Sequence, residues 1–268
     1  MAASNEHAVL LRESDNGIAT LTLNRPRQHN ALSFALLERL RETLDSYARD
    51  AALKCVVVTG AGDRSFCAGG DLHELDSMRS LDDAREISRV GRRTLDSVRY
   101  FPVPVAAVLN GDALGGGAEL ALACDYCLAA RHARIGFLQA RLNLMTAWGG
   151  TADVLARCGS ARGMMLLLKA KRLDAGEALE AGLIDEVGDE RQSAHELAQD
   201  WSDSMMQRSR AVLRGQKALA VSMRRSMQEA LAEAEEQHMA NAWTDPAHWE
   251  AVRQSFSGKR AKEESRGT

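Results

Sequence analysis

The feature that most constrains the fold is a recurring order of buried strand, glycine-rich loop and helix. Residues 55–59 form an apolar, β-branched run that ends in a glycine-rich loop over residues 60–71. Residues 104–109 form a second apolar run, which leads into the loop 110–117 and then into a helical pattern over residues 118–123. Short apolar runs bounded by turn residues are typical of buried strands. Their alternation with helices predicts an α/β protein.

The flanking segments extend this pattern. Residues 8–23 predict a β-hairpin around the Asp-Asn-Gly turn at 15–17, and Ser33 is placed to cap the helix that follows. Two further strands are expected at residues 126–130 and 134–137. A third glycine loop, Trp-Gly-Gly at 148–150, then opens another helix.

The chain changes character after about residue 190, where glycines and strand patterns nearly vanish. Residues 195–240 predict two helices broken near Gly215, and a short helix is expected around residues 245–255. Such a unit has too little apolar surface to fold alone, so we expect it to pack on the first part of the chain or on another subunit. We therefore predict a core over residues 1–190 that holds the functional site, and a helical region over residues 191–268.

Charge and composition exclude several classes of function. Lys and Arg number 34 against 37 Asp and Glu, and this net charge of −3 argues against a nucleic-acid-binding face. No apolar stretch approaches the roughly 20 residues of a membrane helix, and the first residues lack the features of a signal peptide. The five cysteines and seven histidines are dispersed without metal-ligand spacing. We expect a cytoplasmic protein with no metal site and no nucleic-acid or membrane partner.

Two of the glycine loops end beside an acid and are candidates for a binding site. They are Cys-Ala-Gly-Gly-Asp at 67–71 and Gly-Gly-Gly-Ala-Glu at 115–119, and each leaves a buried strand. Without Cβ atoms, their N–H groups can be approached closely by a substrate oxygen. Two converging backbone donors would form an oxyanion hole, and loss of one such donor costs about 3 kcal/mol of barrier. For either loop alone, tight turns and close packing are the competing explanation.

Several longer motifs resemble those of the crotonase (enoyl-CoA hydratase/isomerase) superfamily. In chain order they are LNRP at 23–26 with NAL at 30–32, FCAGGD at 66–71, PVPVAAVLNGDALGGGAEL at 102–120 and ALEAGLIDEV at 178–187. The resemblance runs from about residue 8 to 190, in the family's order.

The resemblance implies a crotonase-like spiral of ββα repeats with a C-terminal helical trimerisation region. It also implies an acyl-CoA or enoyl-CoA thioester as substrate, an enolate intermediate, and no cofactor beyond the coenzyme A of the substrate. The N–H groups of Gly70 and Gly116 would hold the enolate oxygen, and the Ala68 carbonyl would face the adenine end of coenzyme A. A homotrimer or a dimer of trimers is the implied assembly.

The two catalytic acids of the family's hydratases are only half matched. Glu119 matches the first, whereas the second position, counted back from Trp148, falls on Gln139. An amide can donate or accept a hydrogen bond but cannot hold and return a proton. No Asp or Glu lies between Asp125 and Asp153, so no shift of the count supplies a second carboxylate.

Several activities therefore stay open. Glu119 alone could carry a proton in an isomerase, or act with a water held by Gln139 in a weak hydratase. The glycine loop before Glu119, joined to Trp148-Gly149-Gly150, is similar to ethylmalonyl-CoA decarboxylase-like members, which suggests an ethylmalonyl- or methylmalonyl-type CoA ester. We expect an enzyme of the hydratase/isomerase family that acts on an acyl- or enoyl-CoA thioester with one retained carboxylate. The decarboxylase is the first alternative, and a catalytically weak acyl-CoA-binding protein is the second.

The remaining site predictions concern substrate binding. Asp71 is expected to fix its loop, His73 to line the acyl channel, and an apolar pocket to form from Trp148 with four neighbours. Those neighbours are Leu138, Leu142, Leu144 and Met145. The full set of predicted substrate-binding residues is Ala68, Asp71, Leu72, His73, Gly115, Gln139 and Trp148.

Overall fold

A computed structural model describes residues 10–254, apart from the side chains of residues 11–13 and 15. The strands are β1 (Leu10–Asp15), β2 (Ile18–Leu23), β3 (Cys55–Gly60), β4 (Ser65–Cys67), β5 (Val105–Leu109), β6 (Asp112–Leu114), β7 (Tyr126–Ala129), β8 (Arg134–Gly136), β9 (Leu173–Asp174) and β10 (Glu186–Val187). The helices are α1 (Phe34–Tyr47), α2 (Leu72–Leu75), α3 (Leu81–Arg99), α4 (Gly116–Ala123), α5 (Gly150–Cys158), α6 (Ser160–Lys169), α7 (Ala175–Ala181), α8 (Ala194–Met206) and α9 (Arg210–Thr244). A last helix, α10, occupies residues 246–254.

The strands form two sheets, and several consecutive strands of the chain alternate between them. One sheet has the order β1-β2-β3-β5-β7-β10, and the other has the order β4-β6-β8-β9. Pairing is parallel except for β1 with β2 and β8 with β9. Three times in succession the chain gives one strand to the first sheet and the next to the second, as β3 and β4, β5 and β6, and β7 and β8. This arrangement of ββ units and helices confirms the predicted α/β class.

The first two strands confirm the predicted hairpin. Leu10 pairs with Leu23 and Asp15 with Ile18 in an antiparallel register. Asn16 and Gly17 both take positive φ angles, of 48° and 90°, as the tight turn between twisted strands requires. Residues 8 and 9 of that prediction lie outside the described part of the chain.

The apolar run of β3 is explained by the burial of both its faces. Val56 and Val58 belong to the main core, which also receives side chains from α1 and α3. Cys55 and Val57 point to the opposite face, where Trp201 of α8 covers the sheet. Successive side chains of a strand alternate between faces, so a strand covered on both sides is apolar throughout.

Two predicted loops each contain a strand. The sequence predicts loops over residues 60–71 and 110–117, but β4 and β6 lie within them and pair with each other. Three-residue strands are too short to produce a recognisable period, so this prediction was wrong in detail. The pairing matters because it brings the two glycine loops to the same edge of the small sheet.

The predicted break near Gly215 is also wrong. Helix α8 ends at Met206, Ser209 caps α9 by accepting a hydrogen bond from the Val212 amide at 3.3 Å, and α9 continues without interruption through Gly215. A glycine costs a helix only about 1 kcal/mol. Packing of α9 along α3 and α5 outweighs that cost.

Within residues 10–254, none of the helices has both the length and the hydropathy needed to cross a membrane.

Arg99, the last residue of α3, is fully buried and ties three helices together. Its Nε and Nη2 atoms donate to Asp153 Oδ2 of α5 at 3.0 and 2.9 Å. Nη2 also donates to the Trp148 carbonyl at 2.5 Å. Arg224 of α9 reaches the other oxygen of Asp153 at 2.8 Å. Burial raises the pKa of Asp153, but the two arginine charges outweigh it and hold that pKa below its usual range.

Replacement of Arg99 by methionine should destabilise the fold strongly, because the buried Asp153 would lose one of the two arginines that neutralise its charge. Breaking a buried pair from one side costs about 3–5 kcal/mol. Urea unfolding at neutral pH measures this loss. The matched control is Arg39→Met, since Arg39 forms an exposed pair with Glu42 and its loss should leave the midpoint almost unchanged. Equal midpoints for the two variants would contradict the structural role of Arg99.

Candidate active site

The structure brings the two glycine loops into contact. Gly69 lies so close to the second loop that a Cβ there would sit 3.2 Å from the Gly116 nitrogen. The first loop is fixed by Leu32, whose amide donates to the Gly69 carbonyl at 2.8 Å and whose carbonyl accepts from the Asp71 amide at 3.0 Å. The loops predicted from the sequence to form one site are therefore neighbours.

Each loop carries a backbone N–H that no acceptor within residues 10–254 engages. These are the amides of Gly70 and of Gly116, the latter being the first residue of α4. The turn into α4 is made by Gly115, whose φ and ψ of 55° and −122° suit glycine, and whose own amide donates to the Gly136 carbonyl at 2.8 Å. Free amides at a helix start are ready donors to an anionic oxygen.

Glu119, in the first turn of α4, is buried beside these donors, with 2% of its surface exposed. Its Oε2 accepts hydrogen bonds from the Trp148 and Gly150 amides at 2.9 and 3.1 Å. Its Oε1 accepts one from Gln139 Nε2 at 2.9 Å. The contact places the predicted amide, rather than a second carboxylate, against Glu119. Gln139 Oε1 is buried with no partner among the described residues.

Glu235, on α9, is a second buried carboxylate that the sequence analysis missed. Its Oε2 accepts from the Gly149 amide at 2.8 Å, and its Oε1 accepts from the Thr151 amide at 3.2 Å and from Thr146 Oγ1 at 2.5 Å. Arg92 of α3 forms an ion pair with it. Glu119 and Glu235 thus divide between them the four successive amides of residues 148–151, which we call the clamp segment.

The carbonyl groups of the clamp segment are held as well. Arg99 donates to the Trp148 carbonyl, and Gln228 Nε2 donates to the Gly149 carbonyl at 3.0 Å. Gln228 and Glu235 are seven residues apart on α9 and therefore lie on one face of the helix. This seven-residue spacing of two polar residues is a weak sequence signal for the part of the site that α9 supplies.

The environment of Glu119 shifts its proton affinity. Burial, reinforced by the negative charge of Glu235, raises the pKa of Glu119 to about 7. The amides of Trp148 and Gly150 and the charge of Arg99 act in the opposite direction. A carboxyl that titrates near neutral pH can both give and take a proton in a reaction.

The Trp148 ring covers the second glycine loop of the site. Its indole Nε1 donates to the Ile87 carbonyl at 3.0 Å, and its ring lies against Gly91 and Gly116, where any side chain would overlap it. Beside Gly70 the ring leaves a cavity of about 10 Å³. The cavity is lined by Leu32, Phe34, Leu37, Gly70, Glu74, Leu75, Ile87 and Trp148.

The predicted apolar pocket is therefore only partly matched. Trp148 lines the cavity, whereas Leu138, Leu142, Leu144 and Met145 do not. Apart from Trp148, the walls come from α1, α2, α3 and the residues Leu32 and Gly70.

The other predicted substrate-binding residues lie around the first glycine loop. Ala68 is exposed, and its amide donates to the His29 carbonyl at 3.0 Å. Asp71 forms an ion pair with Arg25 at 2.8 Å and accepts from the His73 amide at 3.1 Å, which fixes the loop. Burial raises the pKa of Asp71, but the hydrogen bonds from Arg25 and from the His73 and Glu74 amides, together with the Arg25 charge, outweigh it. The pKa of Asp71 therefore lies below its usual range.

Leu72 and His73 are exposed on α2 and are not part of the cavity wall. Their role in substrate binding stays a prediction. In the part of the chain that the structure describes, no cluster of three or more His, Cys, Asp or Glu side chains is suited to hold a metal ion.

With this geometry in view, comparison with known proteins identifies the family. Residues 13–264 match the family model described as enoyl-CoA hydratase/isomerase. Human ethylmalonyl-CoA decarboxylase is 32% identical over 90% of this chain and 79% of its own length. Crotonyl-CoA hydratase from Syntrophomonas wolfei is 33% identical over 66% of this chain and 68% of its own.

The fold is likewise shared with solved structures. An enoyl-CoA hydratase from Bacillus anthracis is 31% identical, with a TM-score of 0.75 and 96% of each chain covered. The chain therefore belongs to the enoyl-CoA hydratase/isomerase family, and it is an enzyme of the crotonase superfamily. The predicted family and the predicted fold class are both confirmed.

The raised pKa of Glu119 predicts how stability depends on pH. Because the pKa is about 7 in the folded chain and 4.5 in a free side chain, folding favours the protonated form. The stabilisation is complete below the unfolded value and is lost as pH rises through 7, a decrease on the order of 3 kcal/mol. Urea unfolding across this range should show the decrease in the wild type and not in Glu119→Gln.

The control for this measurement is Glu229→Gln, at an exposed position of α9, which should retain the wild-type pH dependence. A Glu119→Gln chain that loses stability with pH as steeply as the wild type would contradict a raised pKa of Glu119.

Proposed function

We propose that this enzyme decarboxylates a short alkylmalonyl-type CoA thioester, such as ethylmalonyl-CoA, through an enolate. The observation that carries the proposal is the contact between Glu119 and the Gln139 amide at 2.9 Å, where hydration by two acids requires a second carboxylate. The similarity to ethylmalonyl-CoA decarboxylase over most of the chain supports the same choice.

The reaction balances without a further reactant. The bond between Cα and the substrate carboxylate breaks, CO₂ leaves, and the electron pair moves into the thioester to form an enolate. Glu119 in its acid form then gives a proton to Cα, which yields the acyl-CoA product, and solvent returns a proton to Glu119. A pKa of about 7 suits this exchange at neutral pH.

The two free amides support the first half of this reaction. The N–H groups of Gly70 and Gly116 are unengaged by the described residues and belong to loops in contact. We propose that they donate hydrogen bonds to the thioester oxygen as its negative charge develops. Gly116 adds the positive end of the α4 dipole to that stabilisation.

The cavity beside Gly70 supports loss of a carboxylate. Its described lining is apolar apart from Glu74, whose carboxylate accepts the Phe34 amide at 2.8 Å. No cation stands in that lining to stabilise a substrate carboxylate, so the charged ground state is disfavoured relative to the enolate held by the amides.

Glu235 does not replace the missing second acid. It is saturated by the amides of Gly149 and Thr151, the Thr146 hydroxyl and Arg92, and it faces the clamp segment. Hydration or isomerisation by Glu119 is the second candidate, and the similarity to crotonyl-CoA hydratase favours it.

We also propose that the chain assembles as a homotrimer or a dimer of trimers through its C-terminal helices. Leu219 and Met223 of α9 are 71% and 78% exposed, and both side chains are apolar. Burial of such side chains against a second copy would remove them from water.

A side-by-side assay tests the proposed reaction. The purified chain is given ethylmalonyl-CoA, crotonyl-CoA and a 3-enoyl-CoA, and CO₂ release, hydration and double-bond migration are followed. We expect turnover of ethylmalonyl-CoA above both others. Glu119→Gln should lower kcat by about 10²–10⁴-fold and leave affinity for butyryl-CoA nearly unchanged.

Preferred turnover of crotonyl-CoA or the 3-enoyl-CoA would contradict decarboxylation and favour the second candidate. Binding of butyryl-CoA without turnover of any of the three would identify a CoA-ester-binding protein. Full activity of Glu119→Gln would remove Glu119 from the mechanism.

A further inference from the structure

The two buried carboxylates of the site are joined by a shared stretch of backbone. Glu119 accepts the amides of Trp148 and Gly150, and Glu235 accepts that of Gly149, which lies between them. The acids reach this stretch from opposite parts of the chain, one from α4 and one from α9. Their side chains are 2% and 4% exposed, so water screens their interaction only weakly.

The charged groups around the clamp segment come from three helices. Helix α3 supplies Arg92 and Arg99, α5 supplies Asp153, and α9 supplies Glu235 and Arg224. Arg99 and Arg224 are both bound to Asp153, whose negative charge offsets part of theirs, although the charge of Arg99 still lowers the pKa of Glu119. Arg92 is bound to Glu235 and is partly exposed, with 16% of its side chain accessible.

The strands packed on α4 have their charges paired elsewhere. Asp112 of β6 is paired with Arg134 at 3.2 Å, and Asp125, just before β7, is paired with Lys217 at 2.6 Å. Glu235, which is bound to the clamp segment, is therefore a negative charge whose effect on the pKa of Glu119 adds to the effect of burial.

We propose that Glu235 is a positioning residue that orders the clamp segment and, by its negative charge, keeps the acid form of Glu119 available to the substrate. This inference rests on the proposed function only where it says that Glu119 gives its proton to the substrate. Three hydrogen-bond donors and Arg92 contact the Glu235 carboxylate. Of two neighbouring carboxyls, the one with fewer stabilising partners takes the proton.

The contrast in partners fits this assignment. Glu119 receives two backbone amides and one side-chain amide, and no arginine of residues 10–254 is bound to it. Glu235 receives an arginine, two backbone amides and a hydroxyl. Arg92 weakens the effect of Glu235 on Glu119, because its positive charge offsets part of the negative charge of Glu235. Removal of either residue should therefore shift the pKa of Glu119, and in opposite directions.

Infrared titration of the free, full-length enzyme tests the inference without any substrate. The carbonyl stretch of protonated Glu119 is assigned as the band that Glu119→Gln removes, and its midpoint with pH is measured. Glu235→Gln should move the midpoint down by about one pH unit, and Arg92→Met should move it up by a similar amount. Glu233→Gln, at an exposed position of the same helix, should leave it in place.

A merely structural role for Glu235 would reduce stability and activity without moving the midpoint. An unchanged midpoint in both Glu235→Gln and Arg92→Met would overturn the inference. If Glu235→Gln does not fold, the upward shift in Arg92→Met carries the test alone, and its absence is contradictory. Because the titration needs no turnover, these shifts support the inference even where the enzyme fails to decarboxylate ethylmalonyl-CoA. For an active enzyme, the pH profile of kcat should shift with the band.

Discussion

The structure depends on how the first turn of α5 is held. A helix start has amides without partners in its own helix. Here two buried carboxylates, Glu119 and Glu235, accept the four amides of the clamp segment, while Arg99 and Gln228 donate to its carbonyls. Buried charges of this kind are tolerated only when they are paired and fully hydrogen-bonded. The clamp segment satisfies them, and they in turn determine its position.

The glycines of the clamp segment follow from this constraint. A Cβ at Gly149 would lie 2.5 Å from Gln228 Oε1 and 2.8 Å from Arg99 Nη2, and its φ of 88° also favours glycine. A Cβ at Gly150 would lie 2.6 Å from Cγ of Glu119. The same close approach fixes Trp148, whose ring then covers the second glycine loop. Proton affinity, cavity size and access to the free amides are thus consequences of one packing arrangement.

Much of this site could be predicted from local sequence. The glycine loops, Glu119 and the amide at Gln139 are contained in short motifs. Helix caps elsewhere in the fold also obey local rules. Ser33 accepts a hydrogen bond from the Leu36 amide, and Asp174 forms a capping box with Glu177. Glu235 and Arg92 could not be found this way. They sit in ordinary polar helices, and only tertiary packing brings α3 and α9 to the clamp segment. The break placed at Gly215 failed for the same reason, since packing overrode a local preference.

The stereochemistry of proton delivery tests the central claim most directly. The proposed decarboxylation of ethylmalonyl-CoA, run in D₂O, would place one deuterium on Cα of the butyryl-CoA product, and chiral analysis of the derived acid would report the face that received it. With Glu119 on one side of a bound enolate, the wild type should give a single configuration, and Glu119→Gln should give a mixture. A mixture from the wild type, or a single configuration from both enzymes, would contradict proton delivery by Glu119.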